Sequence, residues 1–347
     1  MLCGGSASRK PAAGAGEGPS VIASWLRSGL SPQRRGGPTP FSLLIPPCVA
    51  QDATLFAGLH VPGQATIAAH DAREASLPII DMHTHIFPDR LAATAVATVC
   101  RACGIAPCFD GTLGGLRSFM RHADIARSVV QPVASRASQV RSINDWVAAL
   151  GDDSIIPFAA MHPDLPDPTA EIERLAAIGI PGFKLHPEYQ GFSPDETRLD
   201  PLYAAAARHG LIAYFHAGED IALPAVHSTP ETFARLLDRH PDLTVVLAHM
   251  GGWRQWGEVQ RHLAGRDVYL DTSFTLPYLG EERFAELVEA HGAHRILFGS
   301  DAPWGDLSRD LAQLGAMTFS EQDLDAILWR NAARLLGLSA EAVLAPE

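Results

Sequence analysis

The chain has 347 residues, of which 47% are hydrophobic and 19% charged. These values are ordinary for a globular protein and exclude fibrous repeats and wholesale disorder. The formal net charge of −12 would repel a phosphate backbone and an anionic bilayer alike, so no nucleic-acid or membrane partner is expected and a small-molecule substrate is.

Taken from the N-terminus, residues 1–50 hold eight Gly and seven Pro with no sustained hydrophobic period. Residues 1–77 are therefore expected to be a low-complexity, disordered extension. They carry six basic and four acidic side chains, which leaves −14 on the remainder. The Arg-bearing start faintly resembles a transit peptide, but the apolar run 21–26 is too short for a signal core or a membrane span. Five cysteines, Cys3, Cys48, Cys100, Cys103 and Cys108, are odd in number and unevenly spread. That is a poor disulfide framework and fits a reducing cytoplasm. Cys100 and Cys103 form a C-x-x-C without a second pair at zinc-finger spacing.

From residue 78 the pattern becomes short apolar runs alternating with longer amphipathic stretches. Strands are expected at 78–81, 127–132, 154–161, 180–185, 211–215, 243–248, 267–270 and 295–299. Helices are expected at 143–150, 169–178, 200–209, 232–239, 281–291 and 307–314, each long enough to cross back over a parallel sheet. Eight strands alternating with helices of this kind predict a (β/α)₈ TIM barrel over 78–338, followed by a tail at 339–347. An open doubly wound sheet would need a Gly-rich turn after its first strand. Asp81 is followed instead by Met82, His83, Thr84 and His85.

In such a barrel the active site is built from the C-terminal strand ends. The residues there are of one kind: His83 and His85, then Lys184 and His186, His216, His249, and Asp301. His83 and His85 are two apart, so on an extended strand both face the same ion. Each histidine alone would read equally well as a satisfied core residue, but their recurrence after four separate strands points to a metal site. Imidazole and carboxylate donors suit Zn²⁺ or a similar divalent ion, one or two per chain.

The strings IIDMHTHIFP, GFKLHPEYQGF, AYFHAGED, VVLAHMGG and ILFGSDAPWGD resemble the amidohydrolase superfamily. The likeness is specifically to its amidohydrolase-related (amidohydrolase 2) branch of TIM-barrel metal-dependent hydrolases, which also holds carboxymuconate-semialdehyde and resorcylate-type decarboxylases. The likeness implies that His83, His85, His216 and Asp301 ligate the metal, with His249 beside the bound water or substrate. The only lysine outside the N-terminal extension is Lys184. An arginine could not replace it where a neutral amine is required. The resemblance offers it two roles, a carbamate bridging two ions or a charged substrate anchor. His186 shares its strand face and is a further ligand or substrate-contact candidate, while Tyr189, Gln190, Trp253, Arg254 and Trp304 lie in pocket-forming loops. His162 reads as a loop histidine.

Two chemistries use this set. In hydrolysis of an amide, lactone or ester, metal-activated water attacks, Asp301 shuttles the proton and His249 steadies the oxyanion. In decarboxylation the same ion holds the substrate and His249 or Asp301 protonates carbon. The KLHP element departs from the usual decarboxylase pattern, so a hydrolase is the first expectation and a decarboxylase the alternative. A non-catalytic barrel is disfavoured because no ligand position is lost. A homo-oligomer is compatible with the pattern, though nothing in it marks an interface.

Overall fold

The structure, a computed structural model, describes residues 78–344. The expected extension at 1–77 lies outside the described residues. Nine strand segments occur in order: β1 (Ile79–Thr84), β2 (Ile125–Val130), β3 (Ile155–Pro157), β4 (Ala159–Ala160), β5 (Gly182–Leu185), β6 (Ile212–Phe215), β7 (Val245–Leu247), β8 (Tyr269–Asp271) and β9 (Ile296–Leu297). β3 and β4 are one barrel strand interrupted at Phe158, so these make eight strands. All neighbouring pairs are parallel, in the order β1-β2-β3 and β4-β5-β6-β7-β8-β9. The Phe158 N–H donates to Val130 O at 3.0 Å across the interruption, and the Met82 N–H donates to Phe298 O at 2.9 Å from the first strand to the last. The sheet therefore closes into the TIM barrel that the alternation predicted.

Each expected apolar run overlaps a strand. β6 and β7 are buried along their whole length, as strands covered on both faces must be. The crossover helices have ordinary start and stop chemistry. Thr229 and Thr232 form a capping box behind Pro230, and Gly210 ends Asp200–His209 in the left-handed region. Two helices between β1 and β2, Asp89–Cys103 and Leu113–His122, were not legible as separate elements. The residues expected as a C-terminal tail open with helix Ala340–Leu344, whose Ala342 carbonyl accepts from Arg127. Among the described residues no helix is long and apolar enough to cross a membrane.

The buried core is only partly apolar. Phe158, Phe183, Phe215 and Phe298 are fully buried, each worth about 1.5–3 kcal/mol by area. Beneath the C-terminal mouth, however, Asp81, Gln131, Lys184, Tyr214, Asp271 and Ser300 are buried as well. Buried polar groups are costly unless paired, so this layer has a definite hydrogen-bond order, and that order sets the geometry of the site above it.

Candidate active site

His83 lies in β1 and His85 just past its end, on the same face. The His83 Nδ1–H donates to Asp271 Oδ2 at 2.7 Å, and the His85 Nδ1–H donates to the Gln131 carbonyl at 2.7 Å. With both Nδ1 atoms committed as donors, each Nε2 carries a lone pair. The two Nε2 atoms are 3.2 Å apart. Asp301 Oδ1 stands 3.2 Å from His85 Nε2 and 3.6 Å from His83 Nε2. Three electron-pair donors this close repel one another unless a cation lies among them, and two imidazoles with a carboxylate are a fitting set for a divalent ion. Burial, with Lys184 nearby, lowers the His83 pKa to about 4, so the ring is neutral at neutral pH and competent to ligate. For Asp301 burial pushes upward, but His83, His85 and His249 outweigh it and hold the carboxyl below its usual range. Asp301 has φ 59°, a strained value for a non-glycine residue. Its N–H donates to His83 O at 2.8 Å, and its carbonyl accepts from Trp304 and Gly305 at 2.9 and 3.1 Å.

Lys184, in β5, is buried with Nζ 3.3 Å from His83 Nε2 and 4.7 Å from the centre of the Tyr214 ring. Burial lowers its pKa to about 8, against the opposing pull of Asp271 and Asp301. A fraction of the amine is thus uncharged near neutrality, which an arginine could not achieve.

The structure does not place all the expected ligands together. His216 and His186 lie in a neighbouring cluster with Asp220. His186 Nε2 is 3.7 Å from Asp220 Oδ2, and Glu188 Oε2, buried and without a hydrogen-bond partner, is 3.7 Å from His216 Nε2 and 3.9 Å from His186 Nδ1. Tyr189, His186 and His216 form one stack, with centroid spacings of 3.8 and 4.1 Å and planes within 11° and 12° of parallel. An imidazole ligates in its own plane, so in this stack His186 and His216 do not direct lone pairs at one shared ion. Burial, reinforced by neighbouring cations, drives the pKa of both rings well below 6.5. His216 links the two clusters: its Nε2–H donates to Glu219 O at 3.2 Å, and its Nδ1 lies 3.2 Å from His249 Nε2. His249, at φ 58°, donates from Nδ1 to Ser273 O at 3.0 Å.

The remaining candidates fall into place around these groups. Trp304 packs 5.6 Å from His85 and 6.5 Å from Phe87, its buried indole N–H without an acceptor. Tyr189 belongs to the stack. Arg254 lies over Trp253 at 4.3 Å with its charge 3.8 Å from Glu219, half exposed, and is not among the donors. Gln190 is a staple: its amide donates to Ala134 O and Met161 O and accepts from the His186 N–H. His162 accepts from the Asp164 N–H within its own loop. Sequence reasoning missed Asp271, Glu188, Asp220, Tyr214 and Ser273. Asp271 did carry a signal, as the first polar residue after the apolar run of β8.

A TIM barrel with histidines and an aspartate converging at its strand ends defines a metal-site barrel of the amidohydrolase type. The amidohydrolase family model matches residues 80–338, and the chain belongs to that family. It is 28% identical over 261 residues to the γ-resorcylate decarboxylase of Rhizobium radiobacter, covering 60% of this chain and 80% of the relative. Among solved structures it is similar to 5-carboxyvanillate decarboxylase from Sphingomonas paucimobilis (16% identity, TM-score 0.59, 76% of this chain and 100% of the other). It is also similar to a dihydroxybenzoic acid decarboxylase from Polaromonas sp. JS666 with bound manganese and 2-nitroresorcinol (18% identity, TM-score 0.59, 78% and 100%).

These relatives overturn the first expectation of a hydrolase, because they are decarboxylases. The physical reason is that strand-end residues report only candidate metal donors, a set that suits either chemistry. The KLHP element, read as pointing away from decarboxylation, in fact supplies the buried lysine and one ring of the stack.

Proposed function

We propose that this chain is a metal-dependent decarboxylase of a hydroxylated aromatic carboxylic acid, converting Ar–COO⁻ and one proton into Ar–H and carbon dioxide. The observation that carries the reading is the convergence of His83 Nε2, His85 Nε2 and Asp301 Oδ1 within 3.2–3.6 Å, beside a buried Lys184. The similarity to γ-resorcylate decarboxylase supports decarboxylation over hydrolysis.

His83, His85 and Asp301 would hold the ion, with His216 as the adjoining donor through Nδ1. A divalent ion there would bind the carboxylate and a neighbouring hydroxyl and draw electron density from the ring. Lys184 is placed to anchor substrate negative charge from the barrel side. His249, its Nδ1–H fixed on the Ser273 carbonyl, is the group that takes a proton from solvent at Nε2 and delivers it to carbon. Asp301, held ionised, is better suited to ligation than to acid catalysis. Trp304 and Phe87 offer aromatic faces to a flat substrate. Mixed nitrogen and oxygen donors accommodate Mn²⁺ as well as the Zn²⁺ expected from sequence.

The test is carbon dioxide release and phenol formation from a panel of 2,6-dihydroxybenzoate, 2,3-dihydroxybenzoate and 5-carboxyvanillate. Turnover should vanish after chelation and return with Mn²⁺ or Zn²⁺. Stoichiometric metal binding with no decarboxylation of any panel member, and no carboxylation of the matching phenols in bicarbonate, would sink the proposal.

A further inference from the structure

We infer that Asp271, at the end of β8, is a positioning residue that fixes the ligand-competent tautomer of His83 and, through the same carboxylate, the backbone of His249. The inference rests on the reading of His83 as a metal ligand. Asp271 is fully buried and both its oxygens are filled. Oδ2 accepts from His83 Nδ1–H at 2.7 Å and from the Tyr214 hydroxyl at 2.5 Å. Oδ1 accepts from the His249 N–H at 2.8 Å, the Ser273 N–H at 2.9 Å and the Ser273 hydroxyl at 2.5 Å. Five donors thus converge on one carboxylate, three of them from His83, Tyr214 and His249 in other elements and two from Ser273.

Only an ionised carboxylate satisfies this arrangement, because it accepts on both oxygens and donates on neither. The Ser273 and Tyr214 hydroxyls can rotate, but the His249 and Ser273 amides cannot turn away. In Asp271→Asn the amide oxygen must face those two backbone N–H groups, which leaves its NH₂ facing His83 Nδ1. To avoid two opposed N–H groups, His83 must accept there and carry its proton on Nε2. Nε2 is the atom that stands 3.2 Å from His85 Nε2 and 3.6 Å from Asp301 Oδ1. The substitution would therefore put a hydrogen where the ligand lone pair belongs, while the bond from the His249 N–H is kept on the amide oxygen. Outer partners of this kind are typically worth 10–100-fold in metal affinity.

The experiment reads the tautomer and the affinity separately. In metal-free enzyme labelled with ¹⁵N-histidine, two-bond proton–nitrogen correlations should show His83 protonated at Nδ1 in the wild type and at Nε2 in Asp271→Asn. Competition with a chromophoric chelator should show Mn²⁺ bound about 10–100-fold more weakly by Asp271→Asn, with Tyr214→Phe within about threefold of wild type. A merely structural aspartate would lower the Tm of the variant but leave tautomer and affinity in place. An Nε2–H tautomer already present in wild-type enzyme overturns the inference even if Asp271→Asn fails to fold, and so does an Asp271→Asn variant with wild-type affinity. A wild type that shows the Nδ1–H tautomer yet binds no divalent ion would refute the metal reading and leave the positioning role standing.

Discussion

Replacing Lys184 by methionine keeps an unbranched stem of similar length and removes the ammonium. In the metal-free enzyme the charged group carries a penalty, since its pKa falls from 10.5 to about 8, chiefly through burial. At about 1.4 kcal/mol per pH unit, this corresponds to about 3 kcal/mol of lost stability wherever the lysine is charged in both states. Between pH 8 and 10.5 the unfolded chain binds more protons than the folded one, so wild-type stability rises with pH across that window, and the penalty is full below it. Lys184→Met should therefore be the more stable protein at pH 7, by roughly 6–12 °C in Tm at about 2–4 °C per kcal/mol. The gain should vanish by pH 10.5. Decarboxylation should fall by about 10²-fold or more, the scale of a lost positioning contact. Calorimetry of both proteins in chelator at pH 7, 9 and 10.5 measures the first effect, and carbon dioxide release from metal-loaded enzyme the second. A variant no more stable at pH 7, or a gain that persists at pH 10.5, would refute the desolvation argument. Retained turnover would refute the anchoring role.

Two further substitutions probe the scaffold. A Cβ at Gly305 would meet the Ser300 carbonyl oxygen at 1.6 Å, a backbone clash that no rotamer relieves. Gly305→Ala should thus displace the Ser300–Asp301 turn and weaken Mn²⁺ binding by about tenfold or more, read by chelator competition; wild-type affinity would show that the turn yields elsewhere. Asp310, buried with one oxygen unpartnered, has its pKa raised from 3.8 to about 7 by burial against the pull of Arg309. The folded state then binds more protons between those values, and its stability falls as pH rises through that window. Asp310→Asn should match wild type near pH 4 and exceed it at pH 8 by up to about 4 kcal/mol, measured by urea unfolding; an equal difference at both pH values would contradict the shift.

How much of this was legible in the sequence follows from what a linear pattern records. The alternation of apolar runs and amphipathic stretches determined the barrel, because a strand covered on both faces is mostly apolar and each return path to a parallel neighbour is helical. The i, i+2 spacing of His83 and His85 determined that both point one way. Polar residues at or just after the ends of apolar runs gave Lys184, His186, His216, His249 and Asp301, since barrel closure brings every strand end to one mouth. Tertiary structure alone decided which of these meet. His83, His85 and Asp301 share a few ångströms, whereas His186 and His216 stack beside Glu188 and Asp220, because loop conformation rather than strand order sets the plane of each ring. Asp271 lies at a strand end like the others, but its importance rests on five donors from separated parts of the chain. No local pattern encodes that convergence, which exists only once the barrel has closed.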